Sequence, residues 1–261
     1  MSAIEDALVA RDLRGAKAWA LALAVAIAAT QIGVATGLVD LARTPYASGQ
    51  VHVLGALLGG VLFGLGMTLV GTCSFGLVVR AGSGDLRAAG SAVIVGIFAF
   101  AVTSGALAPL RTPLLDIGVL SLPGETAATA GQLRRTVGAW VGPALTAVLV
   151  LMLASVALAD RRLYRRPRLL AGAVLLGLAV AAGWWATSRA VDAMTLDRAE
   201  SLSFVAPVGR ALLQLMMEPF RNVGFGVAAV IGAALASCAV AAARNELRWE
   251  AFDDAIEMRR H

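Results

Sequence analysis

The chain has 261 residues, of which 59% are hydrophobic and only 15% are charged, and its mean hydropathy is +0.78. A soluble domain of this length needs more charge to cover its surface, so the composition excludes an ordinary soluble enzyme or binding domain. The net charge of +5 does not indicate a nucleic-acid partner, because the basic residues are grouped in short segments between apolar runs.

Six uncharged runs are long enough to cross the roughly 30 Å hydrocarbon core of a bilayer as helices. In chain order they are Ala18–Val39, Thr44–Val79, Ala88–Leu110, Thr136–Ala159, Leu169–Ser188 and Asn222–Ala243. They predict an all-α fold, a polytopic membrane helical bundle with about six spanning helices in one transmembrane domain over residues 1–261.

The basic clusters lie in alternate loops, including Arg11–Lys17, Arg161–Arg168 and Arg244–Arg248. By the positive-inside rule, this pattern predicts a multi-pass protein of the bacterial inner membrane with both termini in the cytoplasm. Residues 1–17 are then a cytoplasmic N-terminus and not a cleaved signal peptide, because acidic residues interrupt their positive charge. Residues 246–261 alternate charged and apolar side chains, which predicts an amphipathic helix at the membrane interface.

Three apolar segments differ from simple spanning helices. Val51–Val79 is too long for one untilted span and is rich in glycine, while Thr112–Leu133 and Leu202–Phe220 contain both proline and glycine. Irregular backbone is tolerated at membrane depth only where protein buries it or where it lines a wet cavity. The first segment is therefore predicted to be a broken, buried helix. For the other two, re-entrant half-helices and surface loops both remain open.

The region richest in information is Gly55–Gly84, in which nine of thirty residues are glycine. Three small polar residues in it, Thr72, Cys73 and Ser74, are bracketed by two glycines, which predicts a helix break with Ser74 beginning a second half-helix. The amide groups and positive dipole end of that half-helix would favour an anion beside the thiol. The glycines assigned to this break and to close helix packing are Gly64, Gly66, Gly71, Gly76, Gly82 and Gly84.

The two cysteines have different sequence surroundings. A free cysteine in a membrane helix commonly packs as a small hydrophobic residue, and for Cys73 the sequence leaves a packing role and a functional role open. Cys238 lies among alanine and leucine and is predicted to be core packing. His52 has no His, Asp or Glu at ligand spacing, so neither a metal site, a cofactor nor a Ser–His hydrolase is predicted.

The glycine-rich stretch Gly55–Gly84 resembles the YeeE/YedE family of bacterial sulfur-transport membrane proteins. The resemblance is carried by Gly64–Met67, Gly71–Gly76, Arg80–Gly84, Ser201–Pro207 and Leu247–Phe252. It implies a pseudo-symmetric helical bundle in which two cysteine-bearing re-entrant motifs meet in the middle of the membrane. It also implies that thiosulfate passes between thiols by S–H···S hydrogen bonds without being cleaved. Cys73 matches the cysteine of the first motif, with Thr72 and Ser74 as its neighbours on the substrate path.

The second glycine–cysteine motif of that family has no counterpart before the chain ends at His261. The chain is therefore expected to form one half of the pseudo-symmetric fold and part of the other, with a second chain as one source of the remainder. The predicted function is a permease component for uptake of thiosulfate or a related small sulfur anion, and not an enzyme. The alternative is a non-transporting membrane scaffold that docks a cytoplasmic sulfur-carrier protein through Arg161–Arg168.

Overall fold

A computed structural model of the chain describes residues 13–41, 44, 50–116, 119–121, 141–159, 166–192, 199–217, 223–247 and 249. The helices are α1 (Arg14–Ala35), α2 (Val53–Val70), α3 (Ser74–Gly82), α4 (Leu86–Thr103), α5 (Ala108–Asp116), α6 (Val141–Leu158), α7 (Pro167–Asp192), α8 (Val205–Met217) and α9 (Phe225–Ala243). Two short strands, β1 (Gln50–His52) and β2 (Val119–Ser121), pair antiparallel with Val51 opposite Leu120. Apart from this small strand pair, the predicted all-α membrane bundle is confirmed.

Five helical segments of the described chain are long and apolar enough to cross a membrane. They are Arg14–Ala35, Val53–Gly82, Leu86–Thr103, Pro167–Val191 and Phe225–Ala243. The fourth predicted span, Thr136–Ala159, corresponds to the shorter apolar helix α6, and residues 122–140 before it lie outside the described part. Most of the predicted interfacial tail, residues 246–261, also lies outside it, and Glu246, Leu247 and Trp249 are not helical.

The first helix begins before its predicted span and ends before the uncharged run does. α1 stops at Ala35 because Gly37 adopts a φ of +71°, a left-handed conformation that glycine takes at little cost. Leu38 and Val39 then donate backbone hydrogen bonds to the carbonyl of Gly33, at 2.8 and 3.1 Å. Such a turn satisfies carbonyls at the helix end, so its position depends on glycine and not on hydropathy.

The third predicted span, Ala88–Leu110, is two helices instead of one. Helix α4 ends at Thr103, and the N–H groups of Ser104 and Gly105 both donate to the carbonyl of Phe100, at 2.9 and 3.0 Å. Helix α5 then begins at Ala108. The run carries no charge, but the backbone leaves the helix after Thr103, where Ser104 and Gly105 follow within it.

The described elements belong to two compact units. The first unit contains α1, both strands, α6 and α7, and the second contains α2 to α5, α8 and α9. The single transmembrane domain inferred from the sequence stays a prediction.

In the first unit, α1 packs against both α6 and α7. Its buried core consists of Ala18, Leu21, Ala22, Ala157 and Ala173. Small residues let the helix backbones approach closely. A Cβ atom on Gly177 of α7 would lie 2.7 Å from the carbonyl oxygen of Ala22, so glycine sets this helix separation.

A buried threonine attaches the segment after α7 to that helix. The hydroxyl of Thr187 donates to the carbonyl of Glu200 at 2.6 Å and accepts from the Glu200 amide at 3.2 Å. One residue later, the hydroxyl of Ser201 donates to the carbonyl of Val180 at 2.7 Å. The bonds to Thr187 satisfy the amide and the carbonyl of Glu200, which lies outside the helices and strands and has no regular secondary-structure partner.

Thr187→Val should lower the free energy of unfolding by about 1–3 kcal/mol, because it leaves the partly buried amide of Glu200 without its acceptor. The matched control is Thr103→Val, since the hydroxyl of Thr103 is exposed and donates to the carbonyl of Ala99 within its own helix. Thermal unfolding in detergent measures both variants. Equal destabilisation by the two substitutions would contradict the role of Thr187.

In the second unit, α4 packs against α3 and α8, and α9 packs against α3 and α8. Its buried core is Val78, Val208 and Val230, with Phe204 and Leu212 packed around it. The crossing of α4 and α8 is close at glycine, because a Cβ atom on Gly209 would lie 2.5 Å from the carbonyl oxygen of Gly96. Val78 of this core belongs to α3, the helix that follows the predicted break.

Candidate functional site

The apolar segment Val53–Gly82 is interrupted between α2 and α3. Helix α2 ends at Val70, and Gly71 has a φ of +73°, which favours glycine. Cys73 is extended, with φ of −86° and ψ of 170°, and α3 begins at Ser74. The interruption therefore lies where the sequence predicts a helix break, and Ser74 is the first residue of the second helix.

Thr72 and Gly76 are packed against each other across the first turn of α3. A Cβ atom on Gly76 would overlap the Oγ1 atom of Thr72, so only glycine leaves room for this hydroxyl. Thr72, Cys73 and Ser74 are all partly buried. The break thus gathers two hydroxyls and a thiol at the N-terminal end of α3.

No side chain caps this end of α3. Cys73 occupies the N-cap position, and its carbonyl accepts a hydrogen bond from the Leu77 amide at 2.9 Å. The N–H groups of a first helical turn have no partner within the helix, and they carry the positive end of the helix dipole. An uncapped helix start of this kind can hold a small anion.

An aromatic pair holds the start of α3 against α8. The rings of Phe75 and Phe204 have centroids 4.7 Å apart and are tilted by 48°, a favourable geometry for two aromatic side chains. The carbonyl of Phe204 accepts a hydrogen bond from the Val208 amide at 3.3 Å, which joins the ring to the first turn of α8. Sequence reasoning did not find this contact, although Phe204 belongs to a stretch that carries the family resemblance.

The segment Leu202–Phe220, for which a half-helix and a surface loop were both open, contains the thirteen-residue helix α8. Pro207, Val208 and Gly209 are buried in it, so it is an integral part of the second unit. Residues 218–220 lie outside the described part. The other uncertain segment, Thr112–Leu133, is described only at residues 112–116 and 119–121.

The other end of α3 is fixed by close packing on α9. A Cβ atom on Gly82 would overlap the backbone of Ala234, and the hydroxyl of Ser237 donates to the carbonyl of Val79 at 2.6 Å. Gly84, with a φ of +105°, lies in the turn that leads into α4. Helix α3 is therefore held at both ends, by aromatic contact at its start and by backbone contact at its finish.

The packing predicted for α2 is absent from the described residues. No residue of α2 is buried, so the prediction of a broken and buried helix is correct about the break and wrong about burial. Cβ atoms on Gly64 and Gly66 would meet nothing within 4 Å. Since lipid and protein both accept an apolar helix face, hydropathy alone could not tell which of them covers α2.

An ion pair spans the turn between α3 and α4. Arg80 donates from Nη2 and Nε to Oδ2 of Asp85, at 2.6 and 2.9 Å. The other carboxylate oxygen caps α4 by accepting from the amides of Arg87 and Ala88, at 3.0 and 3.1 Å. Burial acts to raise the pKa of Asp85, but the hydrogen bonds from the Ala88 amide and from Arg80, with the charge of Arg80, outweigh it and lower the pKa.

Asp85→Ala should lower the free energy of unfolding at neutral pH by about 1 kcal/mol through loss of the helix cap. Because the pKa of Asp85 is lower in the folded chain, its stabilisation is complete above the unfolded pKa and is lost as pH falls through the folded pKa. The cost should therefore shrink as the pH falls below the unfolded-state pKa of an aspartate, about 3.9. Asp85→Asn, which keeps a capping oxygen, should cost less than Asp85→Ala. Thermal unfolding across pH tests this, and a pH-independent cost of Asp85→Ala would contradict it.

The second cysteine is not placed as the sequence predicts. Cys238 is exposed on α9 and is not in the core, whereas Cys73 is partly buried. In an alanine-rich spanning helix, a face towards lipid is as apolar as one towards protein, so the sequence could not assign Cys238 to either. Within the described ranges, no three His, Cys, Asp or Glu side chains lie together as a metal site.

Comparison with known proteins finds one family over the whole chain and two relatives that share one name. A family model described as sulphur transport matches residues 1–261. The thiosulfate transporter TsuA of Escherichia coli K12 is 28% identical over 257 residues, which cover 91% of this chain and 68% of that protein. The thiosulfate transporter TsuA of Spirochaeta thermophila is 32% identical over 105 residues, which cover 40% of this chain and 30% of that protein.

Proposed function

Since this chain belongs to the sulphur-transport family, we propose that it is a membrane permease component for thiosulfate or a related small sulfur-containing anion. The observation that carries the proposal is the opening of the backbone at Gly71–Cys73 within an apolar segment long enough to span a membrane. The proposed location is the bacterial inner membrane, with both termini in the cytoplasm.

The start of α3 supplies the donors that a desolvated anion requires. Moving an anion out of water without partners costs tens of kcal/mol by Born solvation, so a transport path must replace its hydration. The uncapped amides of α3, the hydroxyls of Thr72 and Ser74 and the thiol of Cys73 are all hydrogen-bond donors. All of these donors are uncharged. Uncharged donors suit a site that must release its anion as well as bind it.

We assign the relay step to the thiol of Cys73. Its S–H group donates a hydrogen bond to the terminal sulfur of thiosulfate, and no bond in the anion is broken, so the process is transport and not catalysis. The relay requires a second hydrogen-bonding group on the substrate path beyond Cys73. The Escherichia coli relative extends beyond its match with this chain, and a second chain, which a second copy of this chain in the same membrane can supply, is the proposed source of the remaining path.

The scaffold alternative gains no support from these observations. Both relatives are named as transporters. The loop that would dock a sulfur-carrier protein is described only from Arg166 onward.

Uptake into liposomes tests the proposed function directly. Liposomes containing the purified chain should take up radiolabelled thiosulfate faster than empty liposomes do, and unlabelled thiosulfate should compete while chloride should not. Uptake equal to that of empty liposomes would reject transport by this chain on its own. Co-purification with a soluble sulfur-carrier protein in the absence of any uptake would favour the scaffold.

A further inference from the structure

The first unit contains a groove between α1 and α7 that has an apolar floor and a basic end. Its volume is about 290 Å³. Residues that line it include Ala18, Trp19 and Ala22 from α1, and Arg168, Gly172 and Leu176 from α7. A Cβ atom on Gly172 would meet nothing within 4 Å, so the floor of the groove is open at this residue.

Helices α1 and α7 run parallel. A Cβ atom on Gly177 would lie 2.7 Å from the carbonyl oxygen of Ala22, and further along the chain, just after α1 ends, the Asp40 amide donates to the hydroxyl of Ser188 on α7 at 3.4 Å. Because the paired positions advance together, both helices begin at the same end of the unit. Each is long and apolar enough to span a membrane, so the groove leads from one membrane surface into the hydrocarbon.

The positive charge is concentrated at the end where both helices begin. Arg166 and Arg168 are exposed at the start of α7, and Arg14 lies one helical turn before Ala18, on the groove side of α1. Trp19, which is 52% exposed, has the amphipathic side chain that favours the membrane interface. The basic end of the groove at the interface matches an anionic lipid headgroup, and the apolar floor matches an acyl chain.

We propose that this groove binds one anionic phospholipid, with its phosphate at Arg168 and an acyl chain along Ala18, Ala22, Gly172 and Leu176. Basic pockets between spanning helices recognise such headgroups by charge, and the apolar floor accepts the chain. A free phosphate ester would use only the basic end of the groove. A zwitterionic phospholipid would use only the floor.

The purified chain in a zwitterionic detergent tests this proposal, with phosphatidylglycerol as the probe. Binding is followed by native mass spectrometry and by the shift in thermal unfolding, beside phosphatidylcholine and free glycerol phosphate. Phosphatidylglycerol alone should bind and raise the unfolding temperature. Arg168→Ala should weaken its binding about 5-fold, the factor expected for loss of one basic residue near a membrane surface. Gly172→Leu should abolish binding, because its side chain would fill the floor of the groove at a position where a Cβ atom meets nothing within 4 Å.

The matched control is Arg189→Ala, which removes an exposed arginine near the other end of α7. It should leave lipid binding unchanged. Equal binding of the two phospholipids, equal effects of Arg168→Ala and Arg189→Ala, or a full stabilising effect of free glycerol phosphate would each overturn the proposal. A change of oligomeric state in Gly172→Leu would also overturn it, because a second copy of the chain would then be the occupant. The test is independent of thiosulfate transport.

Discussion

Cys73→Ala is expected to reduce thiosulfate uptake to the background of cells that lack other importers of this anion. The substitution removes the only sulfur atom at the helix break while leaving the extended N-cap backbone in place. Alanine is smaller than cysteine and meets no steric barrier there, so the protein should still fold. The loss should therefore appear in transport and not in expression or unfolding temperature.

Cys238→Ala is the matched control for this prediction. Cys238 is exposed on α9 and lies outside the break, so uptake by this variant should equal that of the unmodified protein. Cys73→Ser tests the donor itself, since a hydroxyl keeps a hydrogen-bond donor but replaces the polarizable sulfur. Normal uptake by Cys73→Ala, at an expression level equal to that of the unmodified protein, would contradict the proposal that the thiol of Cys73 relays thiosulfate.

Gly82→Val is expected to destabilise the protein by about 3 kcal/mol, at the upper end of what overpacking costs. A Cβ atom on Gly82 would overlap the backbone of Ala234, and backbone cannot move aside as a flexible side chain can. Helices α3 and α9 would have to separate. The hydrogen bond from Ser237 to the carbonyl of Val79 would then be strained or lost.

Gly90→Val provides the comparison for this effect. Gly90 lies on an exposed face of α4, where a Cβ atom would meet nothing within 4 Å. Both variants introduce the same β-branched residue into a helix, so the difference between their thermal unfolding temperatures isolates the clash. If Gly90→Val destabilised the protein as much as Gly82→Val, the close contact between α3 and α9 would have no energetic role.

The helix break could be predicted because its causes are local. A positive φ at Gly71, small polar residues and an extended Cys73 all lie within four consecutive residues. Polar groups in the middle of an apolar run are uncommon, and here they mark the point where the backbone leaves the helix. The same local logic identified Ser74 as the start of α3.

Contacts between distant segments could not be predicted in this way. The pairing of Phe75 with Phe204 joins residues far apart in sequence, and no local pattern reports it. Gly64 and Gly82 look alike in the sequence, yet only Gly82 contacts a neighbouring helix among the described residues. In a lipid environment, an apolar side chain gains little from choosing protein over hydrocarbon, so composition carries no signal for the choice.

The accessibility of Cys73 tests the central claim most directly, namely that the break exposes this thiol to a hydrated anion path. The chain contains two cysteines, so Cys73 is the only thiol in Cys238→Ala. A charged, membrane-impermeant maleimide should modify Cys73 in liposomes, and thiosulfate should slow the reaction more than sulfate does at the same concentration. Reaction only with a small apolar maleimide, unaffected by thiosulfate, would place the thiol in an apolar environment and contradict the account.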